Sequence, residues 1–209
     1  MTTPTPRSVA ATLAALTVGF SAAAIADNDR NEGDRFSARL SGYNEVHFIA
    51  GSTTTTPITP PALRGAISSQ ARGSFRAVID DRDNTISYEL SFEGLESDVT
   101  QAHIHFGQRH TVGGIVVWLC QTAGTPAPAA VTAFTPLCGG PRANIVSGTI
   151  VRAQVITATG QGIDAEEFDE VVRAIRAGRV YANVHSTFFP PGEIRGQLRR
   201  GDRGHHDRD

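Results

Sequence analysis

The sequence predicts a mainly β domain, an antiparallel Greek-key-like β-sandwich carrying one short α-helix at about residues 164–177. Three observations predict it. Segments along most of the chain alternate apolar and polar residues with a period of two, a polar turn of hairpin length joins two of them, and a single stretch has the spacing of an amphipathic helix.

The first residues read as a signal peptide. Arg7 supplies a positive start, and residues 9–20 are apolar and small, too short a run to cross a bilayer core of roughly 30 Å as a permanent helix. Ala24 and Ala26 form the small-x-small pattern of a cleavage site, so residues 1–26 are expected to be removed and Asp27 to begin the mature chain. A secreted or periplasmic location follows, with no permanent membrane span after cleavage. Removing 26 of the 209 residues leaves 183, enough for one domain with a substantial core. The mature chain then carries 18 arginines against 21 acidic residues, a net charge of −3, and nucleic acid is not an expected partner.

Residues 27–35 are polar and charged with no apolar period, which predicts a disordered lead-in. The domain begins at Phe36, where Phe36, Ala38 and Leu40 alternate with Ser37 and Arg39 in a first strand that ends near Gly42. Residues 51–61 hold four consecutive threonines and three prolines and read as a surface loop. Phe75, Ala77 and Ile79 form one face of a strand, and Ile86, Tyr88, Leu90 and Phe92 form one face of the next. The polar turn from Asp81 to Asn84 makes the two antiparallel neighbours. Residues 101–106 continue the alternation, 115–119 are a short apolar run suited to a strand buried on both faces, and 146–151 form another β-rich stretch.

Phe168, Val171, Val172 and Ile175 break the period of two and fall on one helical stripe. Asp164 with Glu167 reads as a capping box, Arg173 and Arg176 suit the last turn, and Gly178 suits a left-handed C-terminal cap. Residues 180–185 and 193–198 return to strand chemistry around a Pro-Pro-Gly turn at Pro190 to Gly192. Residues 199–209 are charged or glycine and read as a disordered tail. Glu193 and Arg195 share one strand face, with Gln197 beside them, and are expected to pair on a solvated or binding surface.

Cys120 and Cys138 are the two cysteines of the chain, and an even count in an exported protein reads as a disulfide. The wide spacing lacks the Cys-x-x-Cys arrangement of a redox thiol, so a structural role is expected. Four of the seven histidines, His103, His105, His110 and His185, fall in strand-like stretches of the second half. Residues i and i+2 of a strand share a face roughly 6.5–7 Å apart, so His103 and His105 form a half-site for copper or zinc, and His185 is the best third ligand. No cofactor other than such a metal is expected, and no grouping of residues argues for nucleophilic catalysis.

Several spaced words carry a family resemblance: Leu40-Ser41-Gly42 and Asn44-Glu45 in the opening stretch, the strand pair around Gly73 and Tyr88, and Ala102 to Gly107. Gly113 to Val116, Tyr181 to Ser186 and Pro191 to Leu198 complete the series. Together they resemble the chordin-type or CHRD domain over residues 36–198. The resemblance implies an exported β module without a general activity of its own, binding an unidentified protein or envelope partner or serving a structural role, and not a conventional enzyme. The His-x-His strand is also similar to the metal-binding strand of copper/zinc superoxide dismutase, which would make His103, His105 and His185 counterparts of copper ligands. Two expectations result, a non-catalytic module and a copper- or zinc-binding protein.

Overall fold

Alternation gives each extended segment one face that leaves water, and its backbone groups are then satisfied by edge-to-edge pairing. The computed structural model describes residues 34–49 and 62–201. The expected signal peptide, the threonine-rich loop and the last eight residues lie outside the described residues. The strands are β1 Asp34–Ser41, β2 Val46–Ile49, β3 Ala62–Gly65, β4 Arg72–Asp80, β5 Thr85–Glu93 and β6 Val99–Phe106. They continue with β7 Gly114–Cys120, β8 Asn144–Ile150, β9 Val180–Ser186, β10 Ile194–Gln197 and β11 Arg199–Arg200.

β2 and β3 pair with each other as a separate two-stranded sheet. The rest form one sheet in the order β7-β6-β9-β10-β1-β4-β5-β8, with β11 alongside β1, and every pair is antiparallel. The two ends of this path approach each other. The Tyr88 hydroxyl of β5 donates to the Leu119 carbonyl of β7 at 2.7 Å, and the Cys120–Cys138 disulfide ties the end of β7 to the segment leading into β8.

The result is an eight-stranded, nearly closed antiparallel barrel with one short helix. The two facing sheets of a sandwich and a Greek-key order are not shown. Alternation specifies one buried face per strand, and that face is satisfied equally by a second sheet or by the far wall of its own. Phe75, Leu90, Phe92, Ile104 and Leu119 fill the interior, and the helical stripe of Phe168, Val171, Val172 and Ile175 joins the same cluster.

The helix, α1 Phe168–Arg176, starts later than the sequence suggests. Glu166 takes the left-handed conformation, φ 66°, which blocks helix at that point, although the Glu167 carboxylate still accepts from the Asp164 N–H at 2.8 Å. The C-terminal end matches expectation. Gly178 has φ 66°, its N–H donates to the Ile175 carbonyl, and the Arg179 N–H donates to the Ala174 carbonyl, both at 2.9 Å, forming a Schellman motif.

The last two residues of the expected lead-in and the first two of the expected tail belong to the sheet. Asp34 and Arg35 open β1, and Arg199 and Arg200 pair with Ser37 and Phe36. Charged side chains are compatible with a strand whose outward face meets water, and the Asp34 carboxylate accepts from Arg176, at 2.8 Å, and from Arg200. Among the described residues no helix is long and apolar enough to cross a membrane.

The disulfide closes over residues 121–137, and Gln121 organises them. Its side-chain amide donates to the Thr132 and Thr135 carbonyls and accepts from the Ala127 N–H. Ala127 and Val131 thereby pack on the outer face of Trp118, so β7 is buried on both sides as its apolar run predicts.

Candidate metal centre

In the pairing of β6 with β9, Gln101 stands opposite His185, His103 opposite Asn183 and His105 opposite Tyr181. Ala102, Ile104, Ala182 and Val184 fill the interior, which leaves the odd-numbered residues on the outer face. On β10, Arg195 lies opposite Asn183 and Gln197 opposite Tyr181, extending the same rows. Residues 107–113 and 187–192 meet this outer face through the Gln108, Thr111, Gly113 and Pro190 carbonyls, and His103, His105, Asn183, His185 and Arg195 on it are buried. His103 is fully buried, and His105 and His185 are 7% and 5% exposed.

One nitrogen from each of His103, His105 and His185 lies within 4.8 Å of the other two. His103 Nδ1 and His185 Nε2 are 3.1 Å apart. Two nitrogens each about 2.0–2.1 Å from a shared metal, at a near-tetrahedral angle, stand roughly 3.3 Å apart. That is close to the spacing of co-ligands with His103 offering Nδ1, and in the metal-free chain the same contact is a hydrogen bond between the two rings.

Backbone carbonyls orient two of the rings. His105 Nδ1 donates to the Gly113 carbonyl at 2.9 Å and His185 Nδ1 to the Pro190 carbonyl at 2.8 Å, which places the lone pair of each neutral ring on Nε2. A metal-binding histidine is held in this way, with its second nitrogen donating to a carbonyl. The Nε2 atoms of His103 and His105 are buried without a hydrogen-bond partner, an arrangement costing about 1–3 kcal/mol per group. A cation held at His105 Nε2 would satisfy that atom.

Protonation does not compete near neutral pH. Burial pushes the His105 imidazole down to about 3, with the His185 and Arg195 charges adding and the Gly113 carbonyl opposing. Burial pushes His185 down to about 4 against the Pro190 carbonyl. Burial holds His103 well below its ordinary range, and His185 and His105 lower it further. All three are in the neutral form that ligates metals.

Aromatic rings form the walls. Trp118 meets His103 edge-on at 4.2 Å between centroids, and Tyr181 stacks on His105 at 4.7 Å with the planes 3° apart. The Arg195 guanidinium lies 3.3 Å from the Tyr181 centroid and donates to the Thr111 and Gln108 carbonyls at 2.8 and 3.0 Å. The Tyr181 hydroxyl accepts from the Gly113 N–H at 3.1 Å, so sheet and covering segment are bound together beside His105.

Three of the four histidines grouped in the sequence meet here. His110 sits on the exposed covering segment with φ 64°, apart from the triad. The expected pairing of Glu193 with Arg195 on a solvated face is not seen. Both are buried, and Glu193 instead accepts from the Ser69 hydroxyl and the Glu96 N–H, donors brought by the segments that precede β4 and follow β5. Tyr181 and Asn183 belong to the Tyr181 to Ser186 word but are not among the expected site residues, although they precede His185 with the same period of two. Trp118 and Glu45 carry no such signal, since their places depend on strand register. Asn183 donates to the Glu45 carboxyl, and burial pushes that carboxyl up to about 7.

Comparison with curated proteins gives no match, and comparison with solved structures gives none. The family model of the CHRD domain matches residues 36–198, which include every strand that builds the barrel except the two-residue β11 and all three histidines of the site. This chain belongs to the CHRD domain family.

Proposed function

We propose that this CHRD domain is an extracytoplasmic metal-binding module that holds one copper or zinc ion on His103, His105 and His185. The observation that carries the reading is the convergence of three buried neutral imidazoles, two fixed by carbonyls with Nε2 toward the group and two with Nε2 unpartnered. A bound metal would supply a Lewis-acidic or redox-active centre. The chain's own residues keep the ligands unprotonated, fix their orientation and cover them from bulk water. The Cys120–Cys138 disulfide supports an oxidising compartment, in keeping with the reading of residues 1–26 as a signal peptide.

Elemental analysis of protein purified from an oxidising compartment, alongside His105→Ala, tests the proposal. One equivalent of copper or zinc per chain is expected, with loss in a variant whose near-ultraviolet circular dichroism shows it folded. Only traces of metal on the natural chain under metal-replete conditions would remove the reading.

A further inference from the structure

The donor set of the site has no negative charge. Among the described residues its three imidazoles are joined by no carboxylate or thiolate, and both cysteines are held in the disulfide. Trp118 and Tyr181 flank two of the ligands with aromatic surface. A fixed positive charge, the Arg195 guanidinium, stacks on the same Tyr181 ring that stacks on His105. Through that ring the guanidinium stands close to His105, within the range over which a charge is felt in a buried site. The Glu45 carboxyl offsets that charge incompletely, because burial leaves it part-protonated near neutral pH.

The cost of burying an ion grows with the square of its charge, so a divalent ion costs about four times as much as a monovalent ion of similar size. Repulsion from Arg195 doubles as well. Neutral nitrogen ligands supply no compensating charge.

We propose that the three-histidine site selects a monovalent ion, cuprous copper, over zinc and cupric copper. The inference rests on the metal-binding reading above and narrows it. Among the transition metals that imidazole accepts, copper is the one with a readily available monovalent state. The selectivity comes from the charge of the surroundings, because imidazole alone accepts all three ions.

The test is an anaerobic titration of metal-free, disulfide-intact protein with Cu(I) against bathocuproine disulfonate, in parallel with Zn(II) and Cu(II) against chelators of matched strength. The cuprous ion is expected to bind at least about a hundredfold more tightly than either divalent ion. Zinc or cupric binding as tight as cuprous binding overturns the inference and leaves the metal-binding reading standing. Failure of all three ions to bind removes both.

Arg195→Gln supplies a second measurement, in which the gap between cuprous and divalent affinities narrows by roughly tenfold. An unchanged gap in the folded variant overturns the role given to the arginine charge. If the variant does not fold, the comparison on the natural chain still decides.

Discussion

His103 Nδ1 and His185 Nε2 lie 3.1 Å apart, a hydrogen bond whose direction the Pro190 carbonyl decides. His185 Nδ1 already donates to the Pro190 carbonyl, so its Nε2 accepts and His103 carries its proton on Nδ1. His105 donates from Nδ1 to Gly113. All three rings of the metal-free protein are therefore neutral Nδ1–H tautomers. Long-range nitrogen–proton correlation spectra at pH 7.5 are expected to show three such rings, and an Nε2–H tautomer at His105 or His185 would contradict the geometry.

Acid should destabilise the metal-free domain through the same residues. Their folded pKa values are depressed, to about 4 for His185 and about 3 for His105, while the unfolded chain titrates near 6.5. As pH falls through 6.5 the unfolded state takes up protons first, so stability present above 6.5 is lost progressively down to the folded values. Each imidazole contributes a slope of about 1.4 kcal/mol per pH unit in that window.

Glu45 acts in the opposite direction, because its folded pKa is raised to about 7 and its stabilising effect is lost as pH rises from 4.5 to 7. Three histidines outweigh one carboxyl. Urea unfolding at pH 7.5 and 5.0 should show lower stability at pH 5.0, with a steeper fall in Glu45→Gln. Equal or greater stability at pH 5.0 would be the wrong sign.

The legibility of the sequence follows from how local each feature is. The alternation of Phe36, Ala38 and Leu40 and the His-x-His pair at 103 and 105 are properties of single strands, so the β class and the buried histidine trio were readable. The nearly closed barrel depends on which strands become neighbours, and alternation is silent on that. The burial of Glu193 and Arg195 was unreadable for a related reason. Strand residues with polar side chains are assigned to water by pattern, and here Gln108 and Thr111 fold back over Arg195 while Ser69 and Glu96 meet Glu193. The shifts in register between β6 and β7 around His103 and His105, which bear on how Trp118 meets the site, are likewise a property of two strands together.

Gly113 is the position where the covering segment is least tolerant of change. A Cβ there would stand 1.9 Å from the Phe106 carbonyl oxygen, a backbone atom that cannot rotate away. Its own carbonyl and N–H contact His105 and Tyr181. Gly113→Ala is expected to cost about 1–3 kcal/mol in denaturant unfolding and to weaken metal retention in the same protein. Gly124→Ala, where a Cβ meets nothing within 4 Å, is the matched control and should change neither.

The disulfide should contribute to stability separately from the metal site. Cys120 and Cys138 are 18 residues apart in sequence, and closing a loop of that size stabilises a fold by about 3 kcal/mol in the chain-entropy picture. Cys120→Ala paired with Cys138→Ala should lower unfolding stability by that order. It should also loosen residues 121–137 around Trp118, read as faster hydrogen exchange there than in β4 and β5. On the natural chain, a thiol-reactive probe should label the denatured protein only after reduction. Labelling without reductant would show that the two sulfurs are not joined, and the stability assigned to the bond would then have to come from the packing of Gln121 and its three backbone contacts alone.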